Sequence, residues 1–447
     1  MRKLMFAVSI LVATSMLLAA CSGTTPAQAP ATPTASAPAP KIPIRWMVST
    51  GPVMEPVVAG FNASQDRIEL SLADPDGAAD MVGPVGWNAV NTFHGQFLDM
   101  TPAIEATSLD TSIFPEDLLE MFRTEEGLMG LPYAISPAVM FYVPALFDQA
   151  GLSYPPAEYG GPYLMPDGTE KPWDWNTLAE IARLLTIDAN GKNATGEGFD
   201  RNKIVQFGYS PQWQHVAHMA GFWGAGAADY YDPASLEAHV PEPARQAWQW
   251  YYEGMWGEQP FIPANTAATW PLFSSGDFLS SGKVAMVVGR SWATCCLTGF
   301  TAGGNEFQLA ALPANPNDGQ VHGCMDMDAF RIFKDTPHPN EALEVIVYMI
   351  TVARLAPVTH ALPAIEGQRA ANLEVRSEQY PFVTSWQPLL DGIAYPDIPP
   401  VDGYMPNFVD AWLRLDTFGD LMTSTEGLDL EVEIASLESD LTAIFQK

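Results

Sequence analysis

Thirteen tryptophans run through this chain, and several fall where an extended segment ends instead of along a helical stripe. Lys283 to Gly289 reads as a buried strand, and Arg290, Ser291 and Trp292 follow directly on its end. Val205 to Tyr209 reads as another, with Trp213 just beyond it, and Met81-Val82-Gly83-Pro84-Val85 as a third that runs out at Trp87. Tyr133 and Ser136 lie in an apolar, aromatic run with prolines at both ends, Tyr133 to Val143, which reads as an extended segment in buried surroundings. An indole or phenol ring offers a flat apolar face, and a nearby guanidinium, carboxylate or hydroxyl offers hydrogen bonds. Together they suit a ring-shaped molecule with apolar CH faces and a rim of hydroxyls. Each of these residues also fits ordinary packing, as the helical stripe Trp248, Tyr251, Tyr252 and Met255 illustrates.

Catalytic signatures are missing from the sequence. It has no Gly-x-Ser-x-Gly elbow, no His-Glu-x-x-His pair and no Gly-x-x-x-x-Gly-Lys-Ser/Thr loop, and no cofactor is implied. Acidic residues are plentiful, but a glycosidase pair is defined by its separation in space, so a lipid-anchored glycoside hydrolase stands as the enzyme alternative. Asp188 to Thr195 has a calcium-loop flavour, yet Gly191 comes at the fourth position instead of the sixth and no Glu arrives at the twelfth; it reads as a polar turn.

The elements that would position such a site begin with an exported leader. Arg2 and Lys3, an apolar run from Leu4 to Leu18, and Leu18-Ala19-Ala20-Cys21 form a signal peptide over 1–20 ending in a lipobox, so Cys21 is expected to become a lipidated N-terminus. Residues 21–41, nearly all Ala, Pro, Thr and Ser, read as a tether. The apolar run is too short to span a bilayer, which makes the expectation an anchored protein on the extracytoplasmic face. The formal charge of −31 becomes −33 once Arg2 and Lys3 leave, and such a surface excludes nucleic acid as a partner. At 447 residues and 47% hydrophobic content the chain can bury two lobes.

Cys295, Cys296 and Cys324 remain in a compartment that permits disulfides. Neighbouring cysteines rarely bridge each other, so the expected bridge runs from Cys295 or Cys296 to Cys324, with Cys296 the preferred partner. Zinc held by the three thiols and His322 is the alternative; no metal is expected, since the spacing lacks a Cys-x-x-Cys knuckle.

Along the chain, Ile42 to Val48, Glu55 to Phe61 and Ile68 to Leu72 form a βαβ opening. Only Asp74 to Asp80 then separates the second strand from the third, far less than a parallel crossover normally needs. Pro115 starts a helix with Glu116 and Asp117 in its first turn. A Gly/Pro/Tyr-rich insertion between Pro155 and Trp173 reads as a hairpin, and Thr177 with Glu180 has capping-box spacing.

Gly130-Leu-Pro-Tyr133, the extended run, Leu146-Phe-Asp-Gln-Ala-Gly-Leu152 and Pro155-Pro156 resemble the inter-lobe crossover of the extracellular solute-binding proteins that serve ABC sugar importers. Trp173 to Thr186, Phe278 to Trp292, and Leu312 to Ile350 resemble later parts of the same family in the same order. The resemblance implies an α/β, two-lobed periplasmic-binding-protein-like fold of type II, with a ligand cleft and a hinge of about three crossings. The lobes would comprise 42–138 (N-lobe, shortened near 73–81), 139–315 (C-lobe), 316–358 (N-lobe return) and 359–447 (a helical segment completing the C-lobe and hinge). Members of the family usually place a helix and its return where this chain has only 73–81. The resemblance further implies a carbohydrate ligand and ABC permease subunits as partners, with a glycerol phosphate or other small polar solute as the alternative ligand, and an adhesion or chemosensory receptor as a rival role. By position it suggests Trp292 and Trp213 as stacking aromatics, Asp326 on a turn facing the cleft, and Phe408 from the C-terminal helices, beside Trp87, Tyr133, Ser136 and Arg290.

Overall fold

The computed structural model describes residues 40–48, 51–74, 77–86, 91–212, 214–273, 278, 280–353, 360–396 and 403–447, with backbone only at 51, 52 and 298. The leader, Cys21, Trp87 and Trp213 lie outside them. Residues 41–447 form one compact unit.

Its strands are β1 (Ile42–Met47), β2 (Ile68–Leu72), β3 (Met81–Val85), β4 (Arg123–Thr124), β5 (Gly127–Leu128), β6 (Leu131–Tyr142), β7 (Pro162–Leu164), β8 (Glu170–Pro172), β9 (Ile187–Asp188), β10 (Ile204–Pro211), β11 (Val284–Arg290), β12 (Gln308–Ala310), β13 (Met325–Ile332) and β14 (Leu362–Pro363). The principal sheet runs β2-β1-β3-β13-β6-β11-β10-β9, with β12 and β14 also paired to β6. β6 joins its two halves. All twelve of its residues are buried. Its first half pairs antiparallel with β13 and its second half with β11.

One apolar cluster covers the β1–β3 half and one face of the other half, gathering Trp46, Ile135, Phe141, Met327 and Val287. A second packs the opposite face under the helices Trp175–Leu185, Glu242–Trp256, Phe408–Ser424 and Leu430–Phe445. It takes Trp248, Tyr251 and Met255 from the helical stripe, while Tyr252 stays partly exposed. Gly208 of β10 is required by this packing, because a Cβ there would lie 2.0 Å from the Ala182 carbonyl oxygen on the helix above.

The short β2–β3 connection has a geometric answer. Leu72, at the end of β2, and Met81, at the start of β3, both pair with Trp46 of β1, one on each side and both parallel to it. β3 thus begins at the level where β2 stops. The chain need only step across the end of β1, and no return helix is needed. Asp80 secures the step. Its carboxylate accepts from the Arg45 backbone at 2.8 Å, from Arg45 Nε at 2.9 Å and from Thr336 Oγ1 at 2.9 Å.

Two further expectations meet the structure differently. The helix at Trp175–Leu185 is capped by Asp174, whose side chain accepts from the Thr177 backbone at 2.8 Å, not by a Thr177/Glu180 box; Glu180 pairs instead with Lys171. The hairpin expected after Pro155 is β7–β8. Asp188 anchors the polar turn, accepting from the backbone N–H groups of Asn190, Lys192 and Asp200.

Asp80 carries the first prediction. Burial pushes its carboxyl pKa up, but the Arg45 and Thr336 hydrogen bonds and the Arg45 charge outweigh burial and hold it below the ordinary value. A depressed folded value means the stabilisation is present above the unfolded value of about 4 and is lost as pH falls through the folded one. Asp80→Ala is expected to lower unfolding free energy by about 2–3 kcal/mol in urea at pH 7. The variant should also lose less additional stability than the parent between about pH 5 and pH 3.

Candidate functional site

Where β6 passes from one half of the sheet to the other, β13 and β11 flank it on opposite sides. Asp326 of β13 lies across from Ser136, and Arg290 of β11 lies across from Ala138. Positions 136 and 138 point to the same face, since side chains alternate along a strand. With only Ser and Ala between them, the guanidinium can reach over β6, and Arg290 Nε lies 3.1 Å from Asp326 Oδ1. The Arg290 side chain is 3% exposed and that of Asp326 19%. Asp326 Oδ2 accepts the Trp292 indole N–H at 2.7 Å. One carboxylate therefore neutralises a buried cation and fixes the tilt of a partly exposed indole. The Arg290 backbone N–H donates to Gln212 Oε1 at 3.0 Å, tying β11 to the end of β10.

Asp328 lies two residues along β13 on the same face, opposite Ala134. Both acids are half-buried, whereas Met325 before them and Met327 between them are in the core. Burial, and then the Asp326 charge, push the Asp328 carboxyl up to about 7. The adjacent Tyr133 is 3% exposed, and its hydroxyl has no hydrogen-bond partner among the described residues. Burial, followed by the Asp328 charge, raises its pKa. Gly83 lets β3 come this close, since a Cβ there would lie 2.6 Å from the Ala329 carbonyl oxygen of β13.

A cavity of about 430 Å³ opens further along, between residues of the β1–β3 half and the C-terminal part of the chain, with Asn91, His94, Glu126, Arg331 and Tyr404 in its wall. His94 and Tyr404 stack across it, rings 3.6 Å apart and 13° from parallel. Arg331 is buried under Phe97 and Phe122, and burial lowers its pKa to about 10, so it stays charged. A second cavity, of about 250 Å³, adjoins Gln212 and holds Gln214, Asn265 and Trp270. Trp270 is 66% exposed.

The structure thus brings Arg290, Trp292 and Asp326 together across Ser136, while Tyr133 is buried in the core cluster against Phe330. Trp87 and Trp213 lie outside the described residues. Phe408 is buried against Trp412, at the start of a C-terminal helix, and Tyr404, four residues earlier, reaches the cavity in its place. Arg290 and Asp326 are engaged with each other, which makes them supports of the wall more than open contacts. Asp328, Gln212, His94, Tyr404 and Trp270 were not singled out from the sequence. The Asp-x-Asp alternation at 326 and 328 is a local signal that could have found Asp328; nothing local marks the others.

The expected Cys296–Cys324 bridge is not formed. Cys324 is fully buried in the second core cluster, whereas Cys295 and Cys296 are exposed on the turn after Trp292. Among the described residues no group of His, Cys, Asp or Glu is arranged to hold a metal.

Asp328 yields a prediction with the opposite sign to Asp80. A carboxyl whose folded pKa is raised supports the fold fully below its unfolded value, and that support is lost as pH rises toward about 7. Asp328→Asn, which keeps the shape without the charge, is expected to raise the melting temperature at pH 8 relative to the parent and leave it near unchanged at pH 4, as read by calorimetry.

Comparison with known proteins fits this geometry. The model of the bacterial extracellular solute-binding protein family matches residues 49–390. No curated protein matches the sequence. Among solved structures, the ABC substrate-binding protein Lmo0181 from Listeria monocytogenes, in complex with cycloalternan, superposes with a TM-score of 0.67 at 15% identity, covering 90% of this chain and 99% of its own. UgpB from Mycobacterium tuberculosis, in complex with glycerophosphocholine, gives 0.61 at 16%, covering 90% and 98%. The sugar-binding protein MalE from Xanthomonas citri gives 0.61 at 14%, covering 90% and 97%. These likenesses establish the two-lobed α/β fold, and the match over most of its length makes the chain a member of the bacterial extracellular solute-binding protein family.

Proposed function

We propose that the chain is the substrate-binding component of an ABC importer, anchored through a lipidated Cys21, which captures a sugar or oligosaccharide between two lobes and hands it to a membrane permease. The observation that carries the reading is the Trp292 indole held by Asp326 at the crossing of β6, β11 and β13. An indole fixed at one edge and partly exposed is a platform for the apolar face of a sugar ring, and the half-buried Asp328 carboxyl, on the same strand and face as Asp326, suits a hydroxyl group. Structural neighbours solved with oligosaccharides support the same class.

The glycerophosphodiester bound by UgpB supplies the second reading. It is the weaker one, because the Arg290 charge is already met by Asp326 and a second acid stands two residues away. Binding acts through closure. A ligand that touches both lobes only when they are shut draws the population toward the closed form by its differential affinity. The lobe boundaries inferred from the sequence put the hinge at the middle of β6 and its return crossings. Nothing in this scheme calls for bond breaking, and binding without turnover suits the family.

Thermal unfolding against mono- and oligosaccharides, glycerol phosphates and peptides tests the ligand class. A ligand at about 100 times its Kd should add about 2.7 kcal/mol to stability. Trp292→Ala should weaken the same ligand about ten- to hundredfold, the loss of about 1.4–2.8 kcal/mol of stacking and support. A shift with glycerol phosphates and none with any sugar would overturn the carbohydrate reading. For the anchor, Cys21→Ala should move the chain from the membrane fraction to the soluble fraction; retention in the membrane would refute lipidation at Cys21.

A further inference from the structure

Trp292 sits in a seven-residue 3-10 helix, Ser291–Leu297, whose inner side is pinned twice. Asp326 holds the indole. Thr294 is held from the helix Arg369–Gln379, its hydroxyl accepting from Arg376 Nη1 at 3.3 Å and its carbonyl from the Tyr380 hydroxyl at 2.8 Å. The outer side carries Cys295 and Cys296, both exposed, with their sulfurs 3.0 Å apart. Two exposed thiols in contact, in a protein of an extracellular family, stand where disulfides form and persist.

We propose that Cys295 and Cys296 form a reversible vicinal disulfide that reshapes the Trp292 turn and so regulates ligand capture. The chemistry is thiol–disulfide exchange with a small-molecule disulfide such as oxidised glutathione. The thiolate of one cysteine attacks a sulfur of the oxidant, expels one glutathione thiolate and forms a mixed disulfide. The second cysteine's thiolate then attacks the protein sulfur of that mixed bond and expels the other glutathione. Two cysteine thiols are oxidised, one disulfide is reduced to two thiols, and the two protons released from the cysteines end on the two glutathiones.

Covalent geometry makes the product a switch. Consecutive α-carbons are about 3.8 Å apart across a trans peptide, less than the roughly 4.4 Å at which unstrained disulfides begin. The ring therefore closes only if residues 295 and 296 leave the helical conformation. Because Thr294 is tied to the neighbouring helix, the change is passed along the turn to Trp292. Strained, exposed disulfides are the readily reduced ones, which makes the bond reversible. The bond itself does not depend on the proposed function; only its consequence for ligand capture rests on that reading.

The test begins with phenylarsine oxide, which requires two adjacent thiols. The reduced full chain should bind one equivalent, and Cys295→Ser or Cys296→Ser should abolish this while Cys324→Ser does not. Peptide mapping of the parent after oxidised glutathione makes the same assignment without any variant. It should find both cysteines in one peptide that has lost two hydrogens and kept no glutathione. Stable glutathione adducts, or a bridge to Cys324, would overturn the proposal. The Trp292 indole N–H resonance, assigned with Trp292→Phe, should move on oxidation and return with dithiothreitol. An unmoved resonance beside a formed ring would refute the coupling. Where the ligand screen has found a sugar, its Kd should change severalfold between the two redox forms; where it has found none, the mass and resonance results still decide.

Discussion

A strand with every residue buried must find a hydrogen-bonding neighbour along both edges, since an unpaired backbone group away from water costs as much as a lost hydrogen bond. β6 is such a strand over twelve residues, and most of the architecture can be read as its neighbours' response. β13 fills one edge over the first half, while β14, β11 and β12 serve positions along its length. Because β6 is continuous, the two halves of the sheet share one register. That register sets Asp326 and Arg290 on opposite sides of a Ser136–Ala138 gap small enough to cross. A bulky residue at either position would stand between the ion pair.

The two acids of β13 show how environment divides one chemistry into two roles. Asp326 has a guanidinium on one oxygen and an indole N–H on the other, so its charge is met in the wall. Among the described residues Asp328 is given no such cation. Burial and its neighbour's charge shift it toward the neutral form, in which a carboxyl both donates and accepts. Removing either partner of the buried Arg290–Asp326 pair would leave an uncompensated charge, so the pair is better understood as fixing geometry than as adding net stability.

Much of the fold was legible from local pattern. The run Tyr133 to Val143 gave β6 nearly to the residue, and the helical spacing at Trp248, Tyr251 and Met255 gave the core face of its helix. Arg290 and Trp292 were legible as candidates because strand ends face crevices; Asp326 was legible only through the family resemblance, which puts it on a turn, whereas it lies within β13. Their mutual contacts were not legible, since a partner 34 residues away is set by sheet register and not by spacing. The β2–β3 connection was misread as too short for the same reason. Crossover length follows from where two strands start and stop relative to a third, and only pairing with Trp46 reveals that. The resemblance points to Phe408 as the C-terminal aromatic, whereas Tyr404, four residues earlier, is the one that lines the cavity. Asn407 adopts a left-handed conformation ahead of that helix, so Tyr404 and Phe408 do not share a helical face and a helical reading cannot choose between them.

The cysteines follow from the same distinction between sequence distance and environment. A bridge to Cys324 is the natural choice if chain separation is the guide, yet Cys324 belongs to the apolar layer beneath the C-terminal helices while Cys295 and Cys296 face outward. The outward pair lies on the same turn that presents Trp292. A binding platform gains affinity when its orientation is fixed before the ligand arrives, because less freedom is then lost on binding. In this protein that orientation is fixed from the inside by Asp326 and Thr294. Any change imposed on the outer edge of the turn must therefore act against those two anchors.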